Sequence, residues 1–537
     1  MPAIFKAQTC FSELLTLSRA RFVFSDFKCH VMPPLELREL MPDAYDVPQE
    51  PRLDRGVFFT ALTVLVLGVG LLLIDPDAAL EELRGVHRFM THDLGWLFLG
   101  FVLVGLMWLA WLAMSSKGDT LLGQPGEAPA YSDVSWFGML FCAGIGSNLL
   151  YFGTTEWLGY ALVPPPIAGV PPLSPEALDW AGAMSFFHWG ISAWGIYAMA
   201  TIPIAYSLHV KGSTTLRIST TCEETLGERV HGPLGQLIEI LFIFGLVGGV
   251  GTSLGVGVPM LSAVASELFG VERGESLDVA VLVGLTAVFS YSVSAGLDKG
   301  IKLLSDVNVV LALLLFAFLL LLGPWSFILN QALDSMALML GHFIELSLRT
   351  DAGADVVFAA DNTIFFWAWW LAWAPFMGLF VARISRGRTI RQVIVGTVFG
   401  GSIACWLGFS ILGHSVMELF TEGHAGVAGL VQAAQSSGGG IDAPQIVVEL
   451  LGAQPLSGLV TGVFFILSFI FVATSLDSAA FTLAAAASRD LPPQGQPPRW
   501  HRLVWAFVLA ITAFGLMRAG GLQVLQAASV IVGLPLV

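Results

Sequence analysis

The chain has 537 residues, of which 55% are hydrophobic and only 12% charged, and its mean hydropathy is +0.76. Soluble domains carry about a quarter charged residues, so this composition excludes a soluble globular fold and defines a polytopic membrane protein. The formal net charge of -15, without a basic tract, removes the electrostatic term that phosphate-backbone binding needs, and nucleic acid is excluded as a partner.

Residues 1–56 are polar and irregular and lack a signal peptide's basic start, short apolar core and small-residue cleavage site. They are assigned no fold. Twelve apolar runs follow that suit a crossing of about 30 Å of hydrocarbon. They span 57–74, 94–114, 134–160, 180–208, 234–268, 277–296, 302–329, 362–382, 392–417, 457–486, 503–517 and 522 to the end. The last is about sixteen residues long where about 20 are required, so the sequence reads as truncated there. Residues 330–361 form an external connection whose first part, between Asp334, His342, Glu345 and Arg349, has the pattern of an amphipathic surface helix.

Of the 25 Lys and Arg residues, twenty fall on the side that holds the N-terminus and five, Arg84, Arg88, Arg273, Arg349 and Arg518, on the other. Positive charge concentrates on the cytoplasmic side, so both termini read as cytoplasmic. Spans three to seven (134–329) and eight to twelve (362–537) then form five-helix units of opposite orientation, preceded by two peripheral helices in 57–133. That is the pattern of an inverted repeat.

Each unit opens on an unusual helix. Cys142-Ala-Gly-Ile-Gly-Ser-Asn148 interrupts the third span, and glycine-rich breaks near the midplane free backbone groups for solutes and ions. The eighth carries Phe366, Trp367, Trp369, Trp370 and Trp373 and stops at Arg383, Arg386, Arg388 and Arg391, which are expected in headgroups or cytosol. Phe366, Trp370 and Trp373 fall at i, i+4 and i+7 on one face. Upstream, Trp189, Trp194 and Tyr197 lie within about 140° of one another if 189–197 is one helix. A quaternary ammonium has no N–H to donate and is held by aromatic faces, each contact contributing about 0.5 to 2 kcal/mol. A packed core stripe is the rival reading of the same rings.

The five cysteines, Cys10, Cys29, Cys142, Cys222 and Cys405, have neither paired nor C-x-x-C spacing, which argues against a disulfide framework or a zinc site. Gly249-Val-Gly251-Thr-Ser-Leu-Gly255 lies inside an apolar span and follows no strand, so it reads as helix packing rather than a nucleotide loop. Glu156 and Asp477 are charged groups inside spans, either functional or braces.

From about Trp136 to its end the chain resembles the betaine/choline/carnitine transporters. The resemblance rests on Phe187-His-Trp-Gly190 with Trp194 and Tyr197, Thr252-Ser-Leu-Gly255, Trp367-Ala-Trp-Trp370, Pro375-Phe376, Ala382-Arg-Ile-Ser-Arg-Gly-Arg388, Thr474-Ser475, Asp477-Ser478 and Ala519-Gly-Gly-Leu522. It implies an all-α integral membrane protein of 12 transmembrane helices with a leucine-transporter-like 5+5 inverted repeat, in the plasma (inner) membrane, as a homotrimer. It also implies secondary transport rather than enzyme catalysis, with an aromatic box at Trp189, Trp194, Tyr197 and Trp370 and a further cation-π station at Trp373. The glycine-rich break, Gly144, Gly146 and Asn148, is expected to receive a solute carboxylate. No cofactor is implied beyond a coupling sodium ion between spans three and ten, held by carbonyls near Cys142, Ile145 and Phe471 and by the hydroxyls of Thr474 and Ser475. Hard oxygen ligands suit such an ion.

The sequence departs from the pattern of these transporters at several places. Asn148 stands where sodium-coupled betaine carriers have glycine and choline carriers often aspartate. Leu246 and Val250 stand where some members offer threonines, Asn362 replaces a signature tryptophan, and Trp157 replaces a proline. Sodium-independent carnitine/betaine exchange, proton-coupled choline transport and a transport-inactive sensor therefore stay open. Trp370→Leu is expected to weaken solute binding without burying an unpaired polar group.

Overall fold

The computed structural model describes residues 51–537 apart from 145, 296–297, 352–357, 438–439, 493–494, 521–526, 528–529, 532 and 534–537. Residues 1–50, Ile145 and most of the twelfth run thus lie outside the described residues, whereas 51–56, expected to have no fold, hold the short strand Arg52–Leu53 and the start of the first helix at Arg55. In chain order the helices are α1 (Arg55–Ile74), α2 (Pro76–Arg88), α3 (Gly95–Met114), α4 (Asp133–Gly144), α5 (Ser147–Leu162), α6 (Pro175–Trp189), α7 (Ile191–His209) and α8 (Pro233–Phe269). They continue as α9 (Glu275–Ala295), α10 (Asp298–Leu322), α11 (Trp325–Leu348), α12 (Thr363–Ile384), α13 (Ile390–Thr421, carrying a π turn at Gly396–Gly400), α14 (Ala425–Ser436), α15 (Ala443–Gly452), α16 (Ser457–Ala486) and α17 (Arg499–Gly520).

Among the described residues ten helices are long and apolar enough to cross a membrane, α6 and α7 being counted as one, and eleven with the bent pair α4–α5, whose axes meet at 58°. The predicted break in the third span is therefore present. Two boundaries differ from the sequence expectation. The apolar run 302–329 is cut at Gly323-Pro324, because proline lacks the N–H and disfavours a helical residue before it, and α11 begins at Trp325 rather than near 330. The run 180–208 is two helices, α6 and α7, interrupted at Gly190.

Local signals set several ends. The Ser174 hydroxyl accepts from the Ala177 N–H at 3.1 Å with Pro175 in the first turn of α6. The 37-residue α8 starts on Pro233 and stops at Gly270, whose φ of +67° is the left-handed geometry that glycine adopts at no steric cost.

The arginines after α12 are not all solvated. Arg388 is 2% exposed: its guanidinium donates to the Asp133 carboxylate at 2.7 Å and the Tyr131 carbonyl at 3.0 Å, and lies 4.3 Å from the Trp136 ring centre. Around it the turn between α12 and α13 is zipped to the segment leading into α4, with Leu122 N–H to Arg388 O at 2.8 Å, Gly387 N–H to Leu122 O at 2.7 Å and Ala130 N–H to Arg386 O at 3.0 Å. Arg386 pairs with Glu127 and Arg391 with Asp119. Arg388 is thus not a solvated anchor: a carboxylate and a carbonyl from the facing segment replace its water.

On the same face Asp54 fastens α1 to the rest. Its buried carboxylate accepts from Arg217 at 3.0 Å, Arg489 at 3.0 Å and Gln236 at 3.1 Å, and a two-residue antiparallel pairing sets Arg52 opposite Arg489. Burial pushes the Asp54 carboxyl up, but the Arg489 and Arg217 hydrogen bonds outweigh it and hold it below the usual carboxylate range. A carboxyl with a lowered folded pKa contributes stability that is full above its unfolded pKa of about 3.9 and is lost as pH falls through the folded value. Asp54→Asn is expected to cost about 3 kcal/mol at neutral pH, because the arginines lose a buried partner. Thermal unfolding in detergent between pH 7 and pH 3 checks this, and the gap between variant and wild type is expected to narrow as the pH falls below about 4.

Candidate functional site

The helix formed by α6 ends at Trp189 because Gly190, at φ -97° and ψ -133°, leaves helical geometry before α7 restarts. The single-helix phase assumed for Trp189, Trp194 and Tyr197 is therefore wrong. The rings nevertheless converge with Trp370 of α12. Trp189 meets Trp370 at 4.7 Å between ring centres and 77° between planes, Tyr197 meets Trp370 at 5.9 Å and 83°, and Trp194 meets Tyr197 at 5.5 Å and 88°. Near-perpendicular contacts are those of walls meeting at a corner. All four rings are buried.

Each indole is fixed from behind by its N–H. Trp370 donates to the carbonyl of His188 at 2.9 Å, Trp189 to the Glu156 carboxylate at 2.7 Å and Trp194 to the Cys405 sulfur at 3.4 Å. Trp406 of α13 donates to the Phe186 carbonyl at 2.9 Å. The Phe186 and His188 carbonyls belong to the last turn of α6, which the break at Gly190 deprives of its continuation. The expectation for Trp370→Leu is corrected accordingly. That change leaves the buried His188 carbonyl unpaired, at about 1 to 3 kcal/mol, so it lowers stability as well as removing a ring.

Below the corner lies a cavity of about 650 Å³. It is lined by the four box residues and, along α12, by Trp373, Phe376, Met377 and Phe380, so it runs about 15 Å from Trp370 toward the arginine end of the helix. Trp373 packs edge-on against Phe376 at 5.5 Å. From the broken helix Cys142, Gly146 and Asn148 line the cavity, whereas Gly144 closes α4 and Ile145 lies outside the described residues. Asn148 donates its amide to the Ser253 hydroxyl at 2.8 Å, tying α5 to α8. Phe471, Thr474 and Ser475 of α16 line the same cavity as Cys142. The Thr474 hydroxyl lies 2.9 Å from the Ile470 carbonyl and 3.1 Å from that of Phe471. Its proton goes to the backbone and its lone pairs remain available to a cation, which fits a sodium ligand. Among the described residues lining the cavity none is charged.

Opposite the arginine end the box is roofed by rings. Phe366 stacks on Trp370 at 6.0 Å and on His188 at 4.7 Å, and Phe152 lies 5.6 Å from Trp189. Sequence reasoning found Glu156 but not the chain it belongs to. The Tyr160 hydroxyl lies 2.6 Å from Glu156 and 2.6 Å from His188 Nδ1, and His188 Nε2 lies 2.9 Å from the Thr363 hydroxyl. The i, i+4 spacing of Glu156 and Tyr160 was the available signal. Asp477, the second span acid singled out from the sequence, pairs with Arg502 of α17 at 2.8 Å.

A helical protein with membrane-spanning character and a ring-walled cavity lined by no charged side chain among the described residues offers a site for a small solute. The chain matches the family described as BCCT, betaine/carnitine/choline family transporter, over residues 56–537. It belongs to that family, and is thus a transporter and not an enzyme. It is 34% identical to the glycine betaine transporter OpuD of Bacillus subtilis over 89% of this chain and 91% of the relative. It is 32% identical to a glycine betaine transporter of Acinetobacter baylyi over 89% of this chain and 70% of the relative, and 31% identical to a carnitine transporter of Acinetobacter baumannii over 90% and 86%.

One contact tests how tightly the box is built. A Cβ added at Gly401 would fall on the indole of Trp194, a rigid ring whose N–H is held by Cys405 one turn along the same helix. Gly401→Ala is expected to destabilise by about 1 to 3 kcal/mol through overpacking, read as a lowered thermal midpoint in detergent.

Proposed function

We propose that the protein carries a small trimethylammonium solute, glycine betaine or carnitine in the first instance, across the plasma (inner) membrane by alternating access. The observation that carries this reading is the corner of perpendicular rings above an uncharged cavity. A weakly hydrated quaternary cation gains from π faces and needs no hydrogen-bond acceptor. The relatives' names support the solute class.

In this reading twelve helices cross the bilayer in two inverted five-helix units, α11 lies along the outer surface, and both termini are cytoplasmic, as the Lys and Arg distribution favours. The cavity then opens to the cytoplasm, and the rings above the box close the outer path. Homotrimeric assembly belongs to the same reading. The exposed backbone of the break at Gly146, with Asn148 beside it, receives a solute carboxylate.

A sodium ion is the coupling ion we favour. Cys142 lies nine residues into α4 and Ser475 eleven from the end of α16, so both sit about 14 to 17 Å from the arginine side at 1.5 Å per residue. The hydroxyl of Thr474, the neighbouring Ser475 and the carbonyls near Cys142, Ile145 and Phe471 supply oxygen ligands between the two helices.

Tyr197→Phe keeps a π face and is expected to bind glycine betaine or choline within about twofold of wild type, whereas Tyr197→Leu weakens binding about tenfold, as measured by tryptophan fluorescence quenching. Equal affinities in the two variants would remove the box from the mechanism. In proteoliposomes an imposed inward sodium gradient should drive uptake of labelled betaine, and Thr474→Ala should lower the apparent sodium affinity. Counterflow that ignores sodium would instead identify an exchanger.

A further inference from the structure

We infer that Glu156 is a positioning residue that supplies the remote counter-charge for the bound quaternary nitrogen, acting through the indole of Trp189. The inference rests on the box being the solute site.

Glu156 sits on α5 with its side chain 6% exposed. One carboxylate oxygen accepts from the Trp189 indole at 2.7 Å and the other from the Tyr160 hydroxyl at 2.6 Å. The protons along the chain can be placed so that every donor has one acceptor. The Thr363 hydroxyl donates to His188 Nε2, His188 Nδ1–H donates to the Tyr160 oxygen, and the Tyr160 proton goes to Glu156. Glu156 then receives two hydrogen bonds as an anion and His188 is neutral. Among the described residues the nearest ion-pair candidate for Glu156 is His188, at 3.7 Å, and no Lys or Arg pairs with it.

A buried carboxylate with hydrogen bonds but no cation is costly, and a cation bound against the far face of Trp189 would offset that cost. Trp189 connects the two environments. Its N–H edge meets the carboxylate, while its ring walls the box against Trp370. A hydrogen bond from the indole to an anion enriches the ring in electrons and deepens the negative potential of its face, which strengthens its hold on a cation. The carboxylate also attracts the cation directly across the thickness of one ring, in a medium that screens poorly.

The sign of this effect distinguishes solutes. A net cation such as choline feels the full attraction. A short zwitterion such as glycine betaine brings its own carboxylate, which Glu156 repels, so part of the gain cancels. An uncharged carbon isostere of choline, 3,3-dimethylbutan-1-ol, feels none of it.

The test measures the affinity of purified full-length protein for these three compounds by fluorescence quenching, in wild type, Glu156→Gln, Glu156→Asp and Tyr160→Phe. Glu156→Gln keeps an acceptor for the indole but removes the charge. It is expected to weaken choline about tenfold, betaine less, and the carbon isostere by no more than about twofold. Glu156→Asp, which keeps the charge on a shorter arm, retains a preference for choline over the isostere, as does Tyr160→Phe, which removes a hydrogen bond but no charge. Equal loss for all three compounds in Glu156→Gln would reduce Glu156 to a structural brace, and no loss would mean that the carboxyl carries no charge in the bound state. Either result overturns the inference and leaves the box standing. A wild type that binds neither choline nor glycine betaine better than the carbon isostere overturns the box and this inference together.

Discussion

The structure depends on how the break at Gly190 is satisfied. Hydrocarbon offers no hydrogen bonds, so an interrupted helix at mid-depth is tolerated only where protein supplies partners for the freed backbone. Here the partners are indoles. The carbonyls of Phe186 and His188 are taken by the N–H groups of Trp406 and Trp370, from α13 and α12. An indole has one donor and no acceptor, so satisfying the carbonyl also dictates where the ring points. Repair of the break and construction of the box are one event.

That coupling explains why the rings stand nearly at right angles instead of stacking as a core stripe. Trp370 is aimed by a backbone carbonyl, Trp189 by a carboxylate on α5 and Trp194 by a sulfur on α13, three anchors on three different helices. Trp369, one residue from Trp370, lies nearly parallel to it at 23° between planes and meets Trp189 at 85°. It is fully buried behind the box, stacked with Phe365 at 14° and with its N–H 3.4 Å from the Gly249 carbonyl.

Much of this was legible in the sequence. The tryptophan clusters, the glycine-rich break before Asn148 and most span limits follow from composition and periodicity, because burial in lipid leaves a strong one-dimensional signal. The break at Gly190 was not legible, since Phe187-His-Trp-Gly190-Ile is continuous in hydropathy and a lone glycine is common in membrane helices. Its repair comes from residues 182 and 220 positions away, which no local pattern announces. The cut at Gly323-Pro324 was missed for the opposite reason: apolar residues on both sides masked a strong local stop signal. The burial of Arg388 was not legible because a topology argument counts charges without asking whether a carboxylate such as Asp133 waits opposite.

Seen along its axis, α12 is fastened at both ends. At the arginine end its turn is zipped to the segment entering α4, and Trp136 donates to the Ser385 hydroxyl at 3.1 Å. At the other end Thr363 meets His188, which leads through Tyr160 to Glu156, so α12, α6 and α5 share one polar chain. Buried hydrogen-bond networks of this kind resist partial rupture, because each member left unpaired is costly. The broken helix, α6 and α12 therefore form a single well-fastened body. The wall that α16 presents to it consists of Phe471, Thr474, Ser475 and Ser478, and the Thr474 hydroxyl turns its proton back to its own helix. The cavity lies along the seam between a wall bound by hydrogen bonds and one that bonds to itself, which is where a guest of the right charge finds space without breaking anything already made.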